Sequence, residues 1–308
     1  MDESFYHTPV MLGEIMNALR VRRDGIYFDG TLGGGGHSLA IMKAGGRVLA
    51  TDLDEAAIEY AGKRFEREGL HGRYTIVRDN FKNFAEITAS AGIDEIDGAL
   101  LDLGVSSRQF DDGERGFSYR YDAELDMRMD TRSGPTAEDV VNGYPADELV
   151  RVLREYGEET FAPKIVRAIE KARKTHRIRT TGELASLIAD SVPYRKSGHP
   201  AKKTFQALRI EVNGELDGLG KAAEDIVGKL KSGGRLCVLT FHSLEDRIIK
   251  NTFRLLSTDC ICDKSLPVCV CGHKATVRQI RAEKKAGEEE LRANNRSRSA
   301  TLRIVEKL

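Results

Sequence analysis

No stretch of this 308-residue chain approaches the roughly 20 consecutive apolar residues that a membrane-spanning helix needs. The opening residues, Met1-Asp-Glu-Ser-Phe-Tyr-His7, are acidic and polar, so no secretory signal peptide is expected. Net charge is absent as well: 48 Lys and Arg balance 48 Asp and Glu, which argues against a generic polyanion binder. There is no internal repeat and no long low-complexity linker. Cysteine is scarce, and four of the five cysteines crowd into one short stretch near the C-terminal end. With 40% hydrophobic and 31% charged residues, the composition is that of a soluble globular protein, expected in the cytoplasm. The length favours about two domains and suffices for a sizeable core.

The charge balance is an average over segregated segments. Asp94 to Asp130 holds eleven acids against four arginines, whereas Lys164 to Lys203 holds eleven Lys/Arg against three acids. Lys274 to Arg303 is basic again, nine against four. The middle segment contains Lys171, Arg173, Lys174, Arg177 and Arg179, with Tyr194, His199 and Phe205 interleaved. Charge runs are usually solvated faces. Concentration of one sign with interleaved aromatics tilts this one toward a nucleic-acid contact surface.

The stretch Asp29-Gly-Thr-Leu-Gly-Gly-Gly-Gly-His37 follows an apolar run, Gly25-Ile-Tyr-Phe, and precedes a helix-like run from Ser38 to Lys43. A strand that breaks into a glycine-rich turn and opens a helix is a nucleotide-recognition device: glycines let the backbone approach a ligand, and the helix start offers N–H groups. A second strand, Arg47-Val-Leu-Ala-Thr, ends at Asp52, 23 residues after Asp29. That placement suits an acid gripping two ribose hydroxyls. Asp54, two residues on, reads instead as an N-cap. The G-x-G-x-x-G of a dinucleotide fold is missing, and an acid leads the turn. The glycines alone do not settle the ligand, but a nucleoside cofactor is favoured over a glycine-rich surface loop; S-adenosylmethionine has no phosphate, and an acid just before the glycines can hold the ammonium of its amino-acid tail, directly or through water.

The rest of the chain alternates. A helix is expected over Glu55 to Glu68, a strand at Tyr74 to Arg78 leading to Asp79-Asn-Phe81, a helix at Phe84 to Ser90, and a fourth strand from Ile96 to Gly104. Helical material follows from Phe205 to Leu230, then a fifth strand over Gly233 to Phe241, a helix over Leu244 to Leu256, and a last strand at Ala300 to Glu306. Alternation of this kind predicts a doubly wound, mostly parallel sheet whose ligands sit at the C-terminal strand ends. The middle departs from it: Thr136 to Asn142, Ala146 to Tyr156, Ala162 to Lys174 and Thr181 to Ser191 read as helices. We therefore expect a discontinuous sheet domain, 1–110 and 205–308, split by a partly basic helical insert, 111–204, suited to RNA recognition.

Nine motifs occur in order: His7-Thr-Pro-Val, the glycine turn, Leu101-Asp-Leu-Gly-Val-Ser-Ser107, Arg115-Gly-Phe-Ser118, Leu125-Asp-Met-Arg-Met-Asp130, Tyr156-Gly-Glu-Glu159, Thr204-Phe-Gln-Ala-Leu-Arg-Ile210, Thr240-Phe-His-Ser-Leu-Glu-Asp-Arg247 and Asn295-Arg-Ser-Arg-Ser299. Together they closely resemble the bacterial ribosomal RNA small subunit methyltransferase H family, also called MraW, from His7 to Arg303. The resemblance implies a class I S-adenosylmethionine-dependent methyltransferase fold. It implies methyl transfer to the exocyclic N4 of a cytidine in the decoding region of 16S rRNA within the small ribosomal subunit, with no membrane partner. Carried over residue by residue, the cofactor-binding positions are Gly35, Gly36, His37, Asp52, Phe81, Asp102 and Gln109. Phe81 would flank the adenine, although a lone Phe is more often core.

Many amino-methyltransferases carry Asp/Asn-Pro-Pro-aromatic after the fourth strand; Asp102-Leu-Gly-Val stands there without the prolines or the aromatic. Asp102 and His242 are the candidates for the catalytic step, with a structural bond to Glu245 the rival role for His242. A non-catalytic RNA-binding or assembly factor on the same fold is the alternative, and a same-cofactor enzyme acting on DNA or protein a further one. Cys237 reads as core. Cys260, Cys262, Cys269 and Cys271 have a spacing tighter than the usual zinc-binding C-x-x-C, and His273 is near enough to replace one of them. The resemblance requires no metal, and none is assigned.

Overall fold

The structure is a computed structural model that describes residues 9–105, 113–193, 198–263, 266, 268–281 and 285–308. It divides into two compact units, Met1–Gly104 with Gly218–Leu308, and Val105–Asp217.

The first unit is built on β1 (Ile26–Asp29), β2 (Arg47–Asp52), β3 (Tyr74–Arg78), β4 (Ile96–Asp102), β5 (Leu230–Thr240), β6 (Val277–Ile280) and β7 (Thr301–Lys307). They form one sheet in the order β3-β2-β1-β4-β5-β7-β6. The first five in that order run parallel, whereas β7 lies antiparallel to β5 and β6 antiparallel to β7. This is the class I methyltransferase sheet, as the resemblance implied. Its reversed edge includes β6, a short strand within the C-terminal basic segment, where no strand is expected from the sequence.

Strand side chains alternate between faces, so the apolar central strands supply two cores. Tyr27, Val48, Ala50, Leu100, Cys237 and Leu239 pack with residues of α1 (Leu12–Leu19), α2 (Gly36–Lys43) and α3 (Glu55–Arg67). Phe28, Leu49, Ala99, Leu101, Leu236 and Val238 pack with α4 (Phe84–Ser90) and, later in the chain, with Leu219–Lys229 and Ser243–Leu256. A strand buried on both sides must be apolar at nearly every position. Cys237 is one such residue, its thiol pushed up to about 12 by burial.

The second unit holds α5 (Ala137–Gly143), α6 (Ala146–Glu155), α7 (Ala162–Arg173), α8 (Thr181–Ser191) and α9 (Lys202–Asn213). Sequence punctuation sets several of their starts. Thr136 and Asp139 close a capping box on α5, and the Thr180 side chain accepts from Glu183 N at the start of α8. The unit extends to Asp217, beyond the expected boundary at 204. Its core explains why: Phe205, Ala207 and Leu208 of α9 pack among Val140, Leu149, Val152, Ile165 and Leu184. Gly214 then ends α9 in the left-handed conformation, and α10 (Leu219–Lys229) begins separately, leading through β5 to α11 (Ser243–Leu256) and later α12 (Glu288–Ala293). The single helical stretch expected over 205–230 is thus two helices belonging to different units.

Candidate active site

Parallel strands in register bring Asp29, Asp52 and Asp102 to the same edge of the sheet, at the C-terminal ends of β1, β2 and β4. Their three carboxylates face different surroundings. Asp29 is buried; its Oδ2 accepts from Ser38 Oγ at 2.6 Å and its Oδ1 from Thr31 N at 3.2 Å. Burial raises its pKa against the pull of those donors. The acid that leads the glycine turn therefore braces the start of α2 from inside.

Asp52 is held at both oxygens and only partly buried. Gly33 N donates to Oδ2 at 2.7 Å and Asp54 N to Oδ1 at 2.9 Å. Burial pushes its carboxyl up to about 6, opposed by these N–H donors. Two donors leave acceptor capacity on both oxygens. Asp54 caps α3, accepting from Ala56 N at 3.1 Å. Asp54 is thus the N-cap that its position in the sequence suggested.

The glycines divide too. Gly35 sits at φ 71°, and a β-carbon there would come within 2.6 Å of the Phe65 ring; one on Gly36 would meet Pro9 at 2.2 Å. Both serve close packing of the turn, and Gly35 N donates to Leu32 O. Gly33, at φ 49°, faces open space, with nothing among the described residues within 4 Å of a β-carbon built on it. It is one of two glycines in this run, with Gly34, that the resemblance did not single out. Its signal in the sequence is its place at the crest of the turn. The N-cap of α2 is Gly35, which has no side chain to accept from the first turn, so among the described residues no N-cap side chain satisfies those N–H groups.

His37 is buried at the start of α2, with Nε2 3.1 Å from the Val10 carbonyl and Nδ1 3.8 Å from Asp102 Oδ2. Burial lowers its pKa. A neutral ring that donates from Nε2 to Val10 turns an acceptor, Nδ1, toward Asp102. Asp102 N donates to Thr31 Oγ1 at 2.6 Å, which ties the end of β4 to the glycine turn. Its carboxyl is pushed up to about 8, chiefly by burial and then by the charges of Asp29 and Glu245.

Phe81 opens a short 3-10 turn (Phe81–Asn83) after β3 and is half-buried, resting against the apolar cluster on the α4 side. His242 precedes α11, its Nε2 3.1 Å from Glu245 Oε1, while Glu245 Oε2 accepts from Phe241 N and His242 N. Gln109 lies outside the described residues.

A family model described as the MraW methylase family matches residues 4–308. The chain belongs to the MraW methylase family. It is 48% identical over 312 residues to the ribosomal RNA small subunit methyltransferase H of Symbiobacterium thermophilum, covering 99% of this chain and 98% of that protein. It is likewise 48% identical over 308 residues to that of Carboxydothermus hydrogenoformans, covering 99% and 98%.

In this MraW methylase several cations expected to face RNA have intramolecular partners. Arg173 Nη1 donates to the carbonyls of Tyr144 at 2.8 Å and Val141 at 3.2 Å, bracing the end of α5. Arg177 pairs with Glu138 and with Asp139, the latter at 2.8 Å. Lys171 and Lys174 are exposed, and neither has a hydrogen-bond or ion-pair partner among the described residues. The aromatics differ likewise: Phe205 is core and His199 stacks on Tyr119 at 4.5 Å, while Tyr194 lies outside the described residues. In the C-terminal basic segment, Arg303 forms a two-pronged pair with Asp246 at 2.6 and 2.8 Å, and Arg278 pairs with Glu306. Among the described residues no helix is long and apolar enough to cross a membrane.

Proposed function

We propose that this chain transfers the methyl group of S-adenosylmethionine to the exocyclic N4 amine of a cytidine in the decoding region of 16S rRNA, with the small ribosomal subunit as substrate. Membership in a methylase family supports the reaction, and the name of its relatives supports the substrate. The observation that carries the cofactor reading is the Asp52 carboxylate. It is fixed by Gly33 N and Asp54 N and keeps acceptor capacity for the two ribose hydroxyls.

The residues present fit that cofactor. Gly33 leaves open space beside Asp52, the N-cap of α2 has no side chain, and Phe81 offers a half-buried ring at the end of the neighbouring strand. Gly35 and Gly36 shape this turn by packing on Phe65 and Pro9, and His37 positions Asp102. The bound cofactor supplies a methyl group activated by a sulfonium.

The cytosine amine is a poor nucleophile because its lone pair is delocalised into the ring. The protein must hold it in line with the methyl group and offer an acceptor to its N–H, so positioning and electrostatics do most of the work. Asp102 is that acceptor. Its carboxyl, pushed up to about 8 chiefly by burial, would be favoured as the carboxylate acceptor by a positive charge nearby. His242 is the second candidate: its Nε2 lies 3.1 Å from Glu245 Oε1, and its Nδ1 is buried with no hydrogen-bond partner among the described residues. The target cytidine must be unpaired or extruded, and Lys171 and Lys174 are placed to contact backbone phosphates.

The test is labelled-methyl transfer to small subunits lacking the modification, followed by mapping of the nucleotide. N4-methylation of a decoding-region cytidine is expected. Intact cofactor binding without transfer to any RNA would replace this reading with that of an assembly factor.

A further inference from the structure

We propose that Cys260, Cys262, Cys269 and Cys271 form a closed, four-thiolate site for a single structural zinc ion. The four Sγ atoms all lie within 4.8 Å of one another. The separations are 3.4 Å for Cys260–Cys269, 3.6 Å for Cys269–Cys271, 3.9 Å for Cys260–Cys271 and 4.0 Å for Cys262–Cys269. A tetrahedron with zinc–sulfur bonds of about 2.3 Å has edges of about 3.8 Å. Four of the six edges thus lie near that length and the other two are no longer than 4.8 Å, close enough for one ion to be bound by all four sulfurs. All four are free thiols.

The backbone around them is arranged reciprocally. Ile261 N, between the first two cysteines, points at Cys271 Sγ at 3.5 Å; Val270 N, between the second two, points at Cys262 Sγ at 3.3 Å. N–H groups aimed at sulfur stabilise thiolate charge and orient the ligands. His273 is not part of the set: its Nδ1 lies 2.8 Å from the Thr258 carbonyl. Four sulfurs leave no open position, which marks a structural site and not a catalytic one.

The segment also needs such a staple. Between the end of α11 at Leu256 and the start of β6 at Val277, none of the described residues is in a helix or strand and none is buried. Its apolar side chains point outward: Val270 is 77% exposed, Val268 70%, Ile261 52% and Leu266 48%. Thr276 N donates to Leu256 O at 2.9 Å and Ala275 N to Asp259 Oδ1 at 3.2 Å, closing the excursion at its base. A long closed loop without a core has no apolar burial to offset the entropy of ordering it. Thiolate–zinc bonds supply that stabilisation directly. The tight C-x-C spacing is accommodated because the intervening Ile261 and Val270 side chains turn to solvent.

The test is elemental analysis of the full chain purified under reducing conditions and passed through a chelator. One zinc per chain is expected. Cobalt added to the stripped protein should give the intense visible absorption of a tetrahedral tetrathiolate. The double variant C260S/C271S should lose the metal and be cut faster by trypsin within 257–276, while S-adenosylmethionine binding stays unchanged. If that variant fails to fold, thiol protection in the native chain decides instead: added zinc should shield four thiols from alkylation. A folded chain that holds no stoichiometric metal and whose four thiols alkylate equally with and without zinc would overturn the proposal. Preferential uptake of iron from an equimolar mixture would overturn the choice of ion.

Discussion

His37 Nδ1 faces Asp102 Oδ2 across 3.8 Å, joining the start of α2 to the end of β4. Burial holds the imidazole neutral and raises the carboxyl, so in the unliganded protein near pH 7 the pair carries little charge. A sulfonium arriving beside Asp102 favours its carboxylate. We expect S-adenosylmethionine binding near pH 7 to release a proton and to tighten as pH rises toward about 8. Calorimetry in buffers of different ionisation enthalpy measures the released proton directly. Asp102→Asn should abolish both the release and the pH dependence and cut methyl transfer severely. Near-normal turnover in that variant would remove Asp102 from the reaction.

The same shift has a sign for stability. A carboxyl whose pKa is raised on folding contributes stability that is present at acid pH and lost as pH rises through its folded value, here about 8. Asp102→Asn should therefore gain stability relative to the parent chain as pH increases from 6 to about 9. Thermal melts of both proteins across that range should show the gap widening. A gap that stays constant across that range would mean that Asp102 is already ionised in the free protein.

Asp52 and Asp54 separate binding from folding. Asp52→Ala removes the carboxylate that Gly33 and Asp54 N–H hold in place, and should weaken S-adenosylmethionine binding by about 10- to 100-fold, the size of one or two hydrogen bonds to a charged group. Asp54→Ala removes the cap of α3 and should cost about 1 kcal/mol of stability with little change in affinity. Calorimetric affinity and denaturant unfolding on both variants distinguish the two roles.

Gly35→Ala should destabilise the fold by about 1–3 kcal/mol, because its β-carbon overpacks Phe65 at a left-handed position. Gly33→Asn, at an open left-handed position, should leave stability nearly unchanged and weaken cofactor binding. Urea unfolding and cofactor titration check both.

Charge reversal at Lys171 and Lys174 should reduce methyl transfer to small subunits without lowering the melting temperature, since neither lysine has a partner among the described residues. Arg173→Ala should instead lower the melting temperature by releasing the Val141 and Tyr144 carbonyls. If the lysine reversals leave transfer to the particle untouched, this face of the helical unit does not meet RNA.

The alternation of strands and helices, the glycine turn, the acid closing β2 and the four helices from Thr136 to Ser191 are legible in the order of residues alone. These follow from periodicity and from capping residues close in the chain, which act within a few residues of where they are read. Strand β6 was illegible because four residues, Val277–Ile280, two of them exposed, carry no periodic signal without the partner strand β7. Only the tertiary structure decided which carboxylate turns outward, which glycine is open and which cations are already spent on carbonyls and acids. Asp29, Asp52 and Asp102 look alike as strand-end acids. Ser38, Gly33 and His37, brought to them from elsewhere in the fold, set them apart. Burial and electrostatics depend on neighbours distant in sequence, so the chemistry of the site is fixed only once the sheet has assembled.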